Sequence, residues 1–383
     1  MWLWQYRKNY NRSIAEQGHD CLIAYGRYDA PKQYKSYKID TDFEVKCHGL
    51  KTRLTDKEGF GSRSATEKLI QKIKEYDPDV IHLHNLHGYY LNIEILFHYL
   101  AQADKPVIWT LHDCWSFTGH CVYFDYIGCE KWRTGCECCP QKNRYPKSFL
   151  IDASEWNYQK KQELFTSVNN MTIVTPSHWL AGLVKQRYLS KYPVEVIHNG
   201  IDLDVFKPTE SDFRQTYDLE NKKILLGVAS GWGKRKGLNT FIALSKKLPG
   251  NYKIVLVGLS EKQIKEIPKE ILGIMRTDSV QELTEIYTAS DVFVNPTLED
   301  NFPTTNLEAL ACGTPVITYD TGGSSESLDE KCGVVVEKEN FEALVKAIFE
   351  FKEIPIGICI NKSKEFEKKN KFSEYVKIME KNK

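Results

Sequence analysis

The sequence predicts an α/β chain built from two doubly wound, Rossmann-like domains. Its length, 383 residues, suits two domains of ordinary size. Short apolar, β-branched runs alternate with stretches of helical spacing along most of the chain. In one stretch, residues 291–326, that alternation can be read residue by residue. Residues 292–296 form an apolar strand, and a polar turn follows. A helix starts near Pro303, whose ring suits a first helical turn, and Gly313 stands where a helix C-terminus favours glycine. Residues 315–319 are a second strand, closed by Gly322-Gly323. Strand, turn, helix and strand make a βαβ unit, so the turn lies at the carboxyl edge of a parallel sheet. Open α/β folds bind ligands at that edge.

The turn has legible chemistry. Unpaired N–H groups and a partial positive charge at a helix N-terminus suit residues 301–306 to an anion or a ring of hydroxyls. Asp300 on the turn and Glu308 on the helix face are carboxylates, acceptors for the paired hydroxyls of a ribose or a hexose. An N-capping Asp300 with a solvated Glu308 is the alternative.

Asp300, Glu308, the run ALACGTPVI and Gly322-Gly323 with Glu326 together resemble the donor-binding signature of the retaining group 1 (glycogen-synthase-like) glycosyltransferases. That signature is a Glu, seven residues and a second Glu, then A-x-A-x-G-x-P-V and a later G-G-x-x-E. Here Asp300 stands for the first Glu and is one methylene shorter. The resemblance implies the GT-B fold, two Rossmann-like domains facing across a cleft, with a nucleoside diphosphate sugar as donor. It further implies that Asp300, Asn301, Phe302, Pro303, Thr304 and Thr305 hold the donor sugar and Glu308 the ribose.

The remaining elements follow in chain order. Residues 2–17 have helical spacing and stop at Gly18; residues 21–25 read as a strand ending in Gly26-Arg27. Group 1 enzymes open on a strand and a glycine-rich turn, and only then reach such a helix, which ends in a G-H-x like Gly18-His19-Asp20. In a doubly wound sheet that first strand is central. The expectation is an upstream start, with a shortened and disabled variant as the alternative. Residues 30–61 are polar with little periodicity and read as a long excursion. A helix over 65–76 leads through Pro78 to a buried strand at 80–84 and a polar turn at 85–89. A helix over 93–101 precedes a strand over 106–111 that ends in His112-Asp113. The resemblance implies that His112, within a T-x-H-D segment, faces the transferred sugar. His82 reads as structural, and His84 and His87 are candidates for the acceptor side.

Five of the eleven cysteines crowd into residues 121–139. Cys121, Cys129, Cys136 and Cys139 fall at C-x7-C-x6-C-x2-C, with Cys138 a bystander. Two thiolates spaced as C-x2-C reach one tetrahedral ion, so a closed structural zinc site is expected in this insert, residues 114–140. Iron and unligated thiols are the alternatives, and a reducing cytoplasm argues against disulfides. With LHDCWSFTGHC, the insert resembles a subset of group 1 enzymes that build bacterial exopolysaccharides, the colanic-acid type.

A helix over 156–168, a strand over 171–175, a helix over 178–188 capped by Ser177 and a strand over 195–198 complete the first domain. Asn199-Gly200-Ile201-Asp202 is similar to the family's hinge segment. The expected domains are therefore 1–206 on the acceptor side, 207–355 for the nucleotide sugar, and a terminal helix within 356–383 that packs back on the first domain. The second domain opens on a strand over 224–229, the loop SGWGKRKG and a helix over 238–248. Glycines there let the backbone approach a phosphate, and Lys234, Arg235 and Lys236 supply cations. The loop is neither a Walker A motif nor a G-x-G-x-x-G fingerprint, which weakens ATP and NAD readings; a solvated basic loop is the alternative. The resemblance implies that Lys236 clamps the donor diphosphate. The family's second cation, an Arg about six residues earlier, is Ser230 here, and Arg235 is the candidate to compensate. Strands at 252–257 and 273–275 and a helix over 281–289 follow, and the family places the nucleotide base beside 276–280. A strand over 333–336 and a helix over 341–351 close the domain.

Balanced charge, 52 basic against 51 acidic residues, makes no electrostatic case for nucleic acid. No run of eighteen apolar residues and no signal peptide is present, so a cytoplasmic location is expected. Eight lysines against four glutamates over 362–383 suit a peripheral contact with the inner face of the cytoplasmic membrane, a solvated helix being the alternative. The expected reaction moves a hexose to a glycan or lipid-linked acceptor with retention, needing no cofactor or divalent metal. Lys236, Arg235 and the helix start would stabilise the leaving diphosphate, and His112 would orient the sugar. A non-catalytic sugar-nucleotide-binding protein and a GT-B epimerase are the other readings; the second lacks an acid/base set beyond His112.

Overall fold

Strands of three to six residues, all in parallel pairings, form the sheets of the computed structural model, which describes residues 18–28, 30 and 33–382. The helix read from residues 2–17 lies outside the described residues. The chain divides into two compact units. One runs to Ile197 and resumes at Phe372; the other spans His198–Lys371.

In the first unit β1 (Ile23–Tyr25) pairs with β2 (Ser36–Lys38), and β3 (Ile81–Leu83), β4 (Val107–Thr110), β5 (Met171–Thr175) and β6 (Val194–Val196) form a separate four-stranded sheet in that order. β4 and β5 are buried along their whole length, as parallel strands covered on both faces must be. Trp109 of β4 meets Phe165 at 4.8 Å between ring centroids, and Phe165 meets Phe97 of the helix Ile93–Gln102 at 4.5 Å. Phe372, Tyr375 and Val376 of the terminal helix Lys368–Asn382 cover the other face, against Ile108, Val174 and Ile197.

The second unit holds a six-stranded sheet. It comprises β7 (Lys223–Val228), β8 (Tyr252–Val257), β9 (Ile271–Ile274), β10 (Val292–Asn295), β11 (Val316–Asp320) and β12 (Gly333–Glu337), in the order β12-β11-β10-β7-β8-β9. This is the doubly wound order, with the first strand of the unit central and the reversal between β7 and β10.

Three expectations are corrected. Residues 30–61, read as a long polar excursion, hold regular elements. They contain β2 and the helix Asp42–Thr55, whose first turn is capped by the Thr41 hydroxyl accepting the Glu44 N–H at 3.2 Å. Only His48, Gly49 and Thr52 of that helix are buried, so no apolar stripe betrays it. The boundary falls at His198 rather than after 206. Ile201 donates its N–H to Phe366 at 2.7 Å and accepts from Lys368 at 2.9 Å, and Ile201 and Phe206 belong to the second core. Residues 356–371 also stay with that unit, where Cys359 and Phe366 are buried, and only the chain from Phe372 onward returns to the first. Among the described residues no helix is long and apolar enough to cross a membrane.

Candidate functional site

The strand order reverses between β7 and β10, so the loops leaving their carboxyl ends border one crevice. After β7 the chain passes Ser230, Gly231, Trp232 and Gly233 into a 3₁₀ turn, Lys234–Lys236, and the helix Leu238–Ser245. Trp232 anchors this loop by donating its indole N–H to the Val257 carbonyl at 2.9 Å. Gly237 turns the chain at φ +81°, and a Cβ there would lie 2.5 Å from the Pro296 carbonyl oxygen. The basic loop is thus pressed on the loop that follows β10. Leu298 donates its N–H to the Arg235 carbonyl at 2.8 Å, and the Arg235 guanidinium donates to the Glu299 carbonyl at 3.0 Å. The Lys236 ammonium pairs with the Asp300 carboxylate, both partly buried. The shorter acid at the first carboxylate position therefore reaches the lysine of the facing loop.

The loop after β11 closes the group from the other side. Gly323 donates its N–H to the Asp300 carbonyl at 3.3 Å, and the Thr321 hydroxyl donates to Leu298 at 3.0 Å. Gly322 has φ +57°, and a Cβ on it would meet the Asp300 carbonyl oxygen at 1.6 Å. Gly322→Ala must therefore displace the Asp300 turn. The expected result is a loss of about 1–3 kcal/mol in urea unfolding, and an unchanged midpoint would show the turn to be more yielding than its packing implies.

Pro303 heads the helix Thr304–Ala311, whose N-terminus has no side-chain cap. Asn301, Phe302 and Pro303 are buried, whereas Thr304 and Thr305 keep surface. Phe302 stacks under His198 at 4.7 Å, and its carbonyl accepts from the Asn199 amide at 3.0 Å. His198 also bonds Glu326 at 3.1 Å, which ties the G-G-x-x-E acid into the same framework. Asn306 braces the turn from below: its Oδ1 accepts from Asn295 at 2.8 Å and its amide donates to Ser327 at 2.9 Å. Glu308 is half-buried rather than fully solvated. Tyr287 donates its hydroxyl to Glu308 at 3.0 Å, and burial pushes the carboxyl up to about 7 against that bond and one from Thr304.

In the first unit the carboxyl ends of β3 and β4 gather the sequence-read histidines. His84 Nδ1 and His112 Nε2 share a hydrogen bond of 3.0 Å with the rings stacked. His82 bonds the Thr110 hydroxyl at 2.8 Å, and burial, then the neighbouring His112, holds its pKa down to about 3. His87 lies between Asp113 at 2.8 Å and the Tyr145 hydroxyl at 2.9 Å. Burial pulls the His87 pKa down, but the Asp113 charge and hydrogen bond outweigh it and the net shift is upward.

The cysteine insert brings its thiols near one another. Cys121, Cys129, Cys136 and Cys139 form no disulfide and pack at the edge of the first core, and the charges of Cys139 and Cys129 both act on Cys136. Cys121 and Cys139 share a hydrogen bond that raises the first thiol and brings the second to about 7. The 3₁₀ turns Asp125–Ile127 and Lys131–Arg133 lie between Cys121 and Cys136.

Several buried charged groups have no signal in the sequence. The Glu58 carboxylate accepts the N–H groups of Gly88 and Tyr89 at 2.7 and 3.2 Å, shaping the turn that carries His87. Asp56 and His120 form a fully buried ion pair. Lys161 donates to the carbonyls of Trp115 and Thr118 at 2.9 and 3.1 Å, and burial lowers its pKa to about 7.

Comparison with known proteins bears on both units. The profile for Glycosyltransferase Family 4 matches residues 8–205, and that for Glycosyl transferases group 1 matches residues 209–377. The putative colanic acid biosynthesis glycosyl transferase WcaC of Escherichia coli K12 is 28% identical over 317 residues, 77% of this chain and 72% of its own. Sucrose-phosphate synthase of Thermosynechococcus elongatus aligns with a TM-score of 0.71 at 16% identity, covering 98% of this chain and 92% of that one. HepE of Anabaena, in complex with UDP and glucose, aligns at 0.64 and 16% identity over 98% and 95%. At such identity the structural likeness speaks for the fold alone, which is GT-B.

Proposed function

Because the chain belongs to the group 1 glycosyl transferases, with a Glycosyltransferase Family 4 amino-terminal portion, we propose that it moves a hexose from a nucleoside diphosphate sugar to a glycan or lipid-linked hydroxyl with retention. Its place would be in the building of a bacterial surface polysaccharide, in line with its similarity to WcaC. The observation that carries this reading is the pairing of Lys236 with Asp300 at the strand-order reversal, closed by Gly322-Gly323.

Departure of the nucleoside diphosphate builds negative charge on its outer phosphate. Lys236, held in place beforehand, supplies the nearest cation, and the uncapped start of the helix Thr304–Ala311 adds N–H donors. Asp300 accepts sugar hydroxyls, and Glu308, once ionised, accepts the ribose diol. Arg235 acts through the backbone of Glu299 rather than as a free phosphate clamp. On the acceptor side His112, oriented by His84, positions the sugar, and His87 with Asp113 lines the adjoining turn. The leaving phosphate takes the acceptor proton, so no enzyme nucleophile is required. The cysteine insert holds a loop and takes no part in the chemistry.

Incubation with UDP-, GDP- and ADP-hexoses and an oligosaccharide acceptor tests the reading. Release of one nucleoside diphosphate, with a new glycosidic bond of the donor's anomeric configuration by NMR coupling, is expected. An inverted product, or a free sugar with its ring carbon epimerised, would overturn it.

A further inference from the structure

Large apolar side chains crowd one part of the first unit's surface. The helix Asp42–Thr55 buries only His48, Gly49 and Thr52. It turns Phe43, Leu50 and Leu54 to solvent instead, with Phe43 71% exposed. At about 100° per residue the three lie within roughly 40° of one another on the helix surface. They are too few and too widely spaced for a core-facing stripe, yet they share one face.

A second apolar run joins the end of this helix. Phe149 donates its N–H to the Arg53 carbonyl at 2.8 Å, and Phe149, Leu150 and Ile151 are all exposed, Leu150 to 69%. A built turn presents them. Buried Ser148 donates its N–H to the Lys142 carbonyl at 2.9 Å and its hydroxyl to the Ile151 carbonyl at 2.7 Å. Adjoining exposed apolar groups on this scale mark an interaction surface.

Charge identifies the partner. Residues 42–55 and 141–151 carry six cations, Lys46, Lys51, Arg53, Lys142, Arg144 and Lys147, against two carboxylates, Asp42 and Glu44. Asp42 is already neutralised by Lys38 at 2.8 Å. The whole chain stands at only +1, so the excess is local. The Lys147 ammonium lies 4.8 Å from the Phe149 ring centre, the posture of a side chain that lays its stem on an apolar neighbour and keeps its charge in water. Apolar tips ringed by lysine and arginine match the boundary of an anionic bilayer, where acyl chains take the tips and headgroups the cations. The terminal helix Lys368–Asn382 is also rich in lysine, but it buries Phe372, Tyr375 and Val376 and offers cations without that apolar contact.

We propose that the helix Asp42–Thr55 and the run 149–151 form a docking surface for an anionic lipid bilayer. Its residues lie outside the groups assigned to donor and acceptor, so it stands or falls independently of the reaction.

Co-sedimentation of the full chain with vesicles tests it. One set is phosphatidylcholine alone; the other holds phosphatidylcholine and phosphatidylglycerol in equal parts. Binding to the mixed vesicles about tenfold or more tighter than to the neutral ones, and lost at high salt, is expected. Phe149→Ser with Leu150→Ser should weaken it by about tenfold or more, and so should Lys51→Glu with Lys147→Glu. Both pairs should leave the thermal midpoint unchanged, because the side chains are exposed. Should the serine pair lower the midpoint, the lysine pair decides alone. Lys377→Glu with Lys381→Glu on the terminal helix should leave binding intact. No binding to either vesicle, equal binding to both, or loss only on the terminal-helix pair would overturn the proposal. So would a dimer in light scattering that the serine pair converts to monomer, since a second copy would then cover this face.

Discussion

Lys236→Ala is expected to lower kcat/KM for the donor sugar by about 10²–10³, with little change in the global fold. Two effects act in the same direction. The cation closest to the departing diphosphate is lost, and Asp300, which pairs with it and is itself mostly buried, is left as an uncompensated carboxylate that repels the phosphates. The second effect can be separated from the first. Lys236→Ala combined with Asp300→Asn removes the repelling charge but does not restore the cation. The double variant should regain part of the donor affinity while kcat stays low. Steady-state measurement of nucleoside diphosphate release distinguishes these, and a loss below about threefold in the single variant would exclude Lys236 from the charge-stabilising role.

Glu308→Gln carries the second large effect, with opposite consequences for binding and for stability. Charge-assisted bonds from a ribose diol are worth about 1.5–3 kcal/mol each, so donor affinity should fall by about 100-fold. For the free protein the sign reverses. Burial raises the folded pKa from 4.5 to about 7, so this group's contribution is fully present below pH 4.5 and is lost as pH rises through 7. At pH 8 the ionised carboxylate then costs the ligand-free protein roughly 2 kcal/mol, allowing for its partial exposure. The glutamine variant should accordingly unfold at a higher temperature than the parent at pH 8 and at a similar one at pH 5. Parent donor affinity should rise between pH 6 and 8, and the variant's should not. A variant destabilised at both pH values would instead assign Glu308 a purely structural bond to Tyr287.

How much of this was legible in the sequence depends on the distance over which each feature is encoded. The unit 292–320 was readable because strand, proline, glycine and strand lie within thirty residues or so, and each punctuates the next locally. The helix Asp42–Thr55 was missed because its buried residues are polar or glycine. Glu58, Lys161 and the Asp56–His120 pair were missed because their partners lie between 30 and 64 residues away along the chain. The substitution of Asp300 for glutamate left its contact undefined in the sequence; it became interpretable only once the loop after β7 was seen against the loop after β10. The cysteine spacing suggested a metal because C-x2-C is a local rule, whereas the hydrogen bond between Cys121 and Cys139 is a tertiary contact across eighteen residues of chain.

The most direct measurement is a calorimetric titration of the full chain with UDP-, GDP- and ADP-hexoses, repeated with Lys236→Ala and Glu308→Gln. A donor site at the β7–β10 reversal requires that one nucleotide class bind with one-to-one stoichiometry and that both substitutions weaken it by tenfold or more. Saturable binding that neither substitution disturbs, or no binding of any class, would contradict the assignment of the crevice as the donor site.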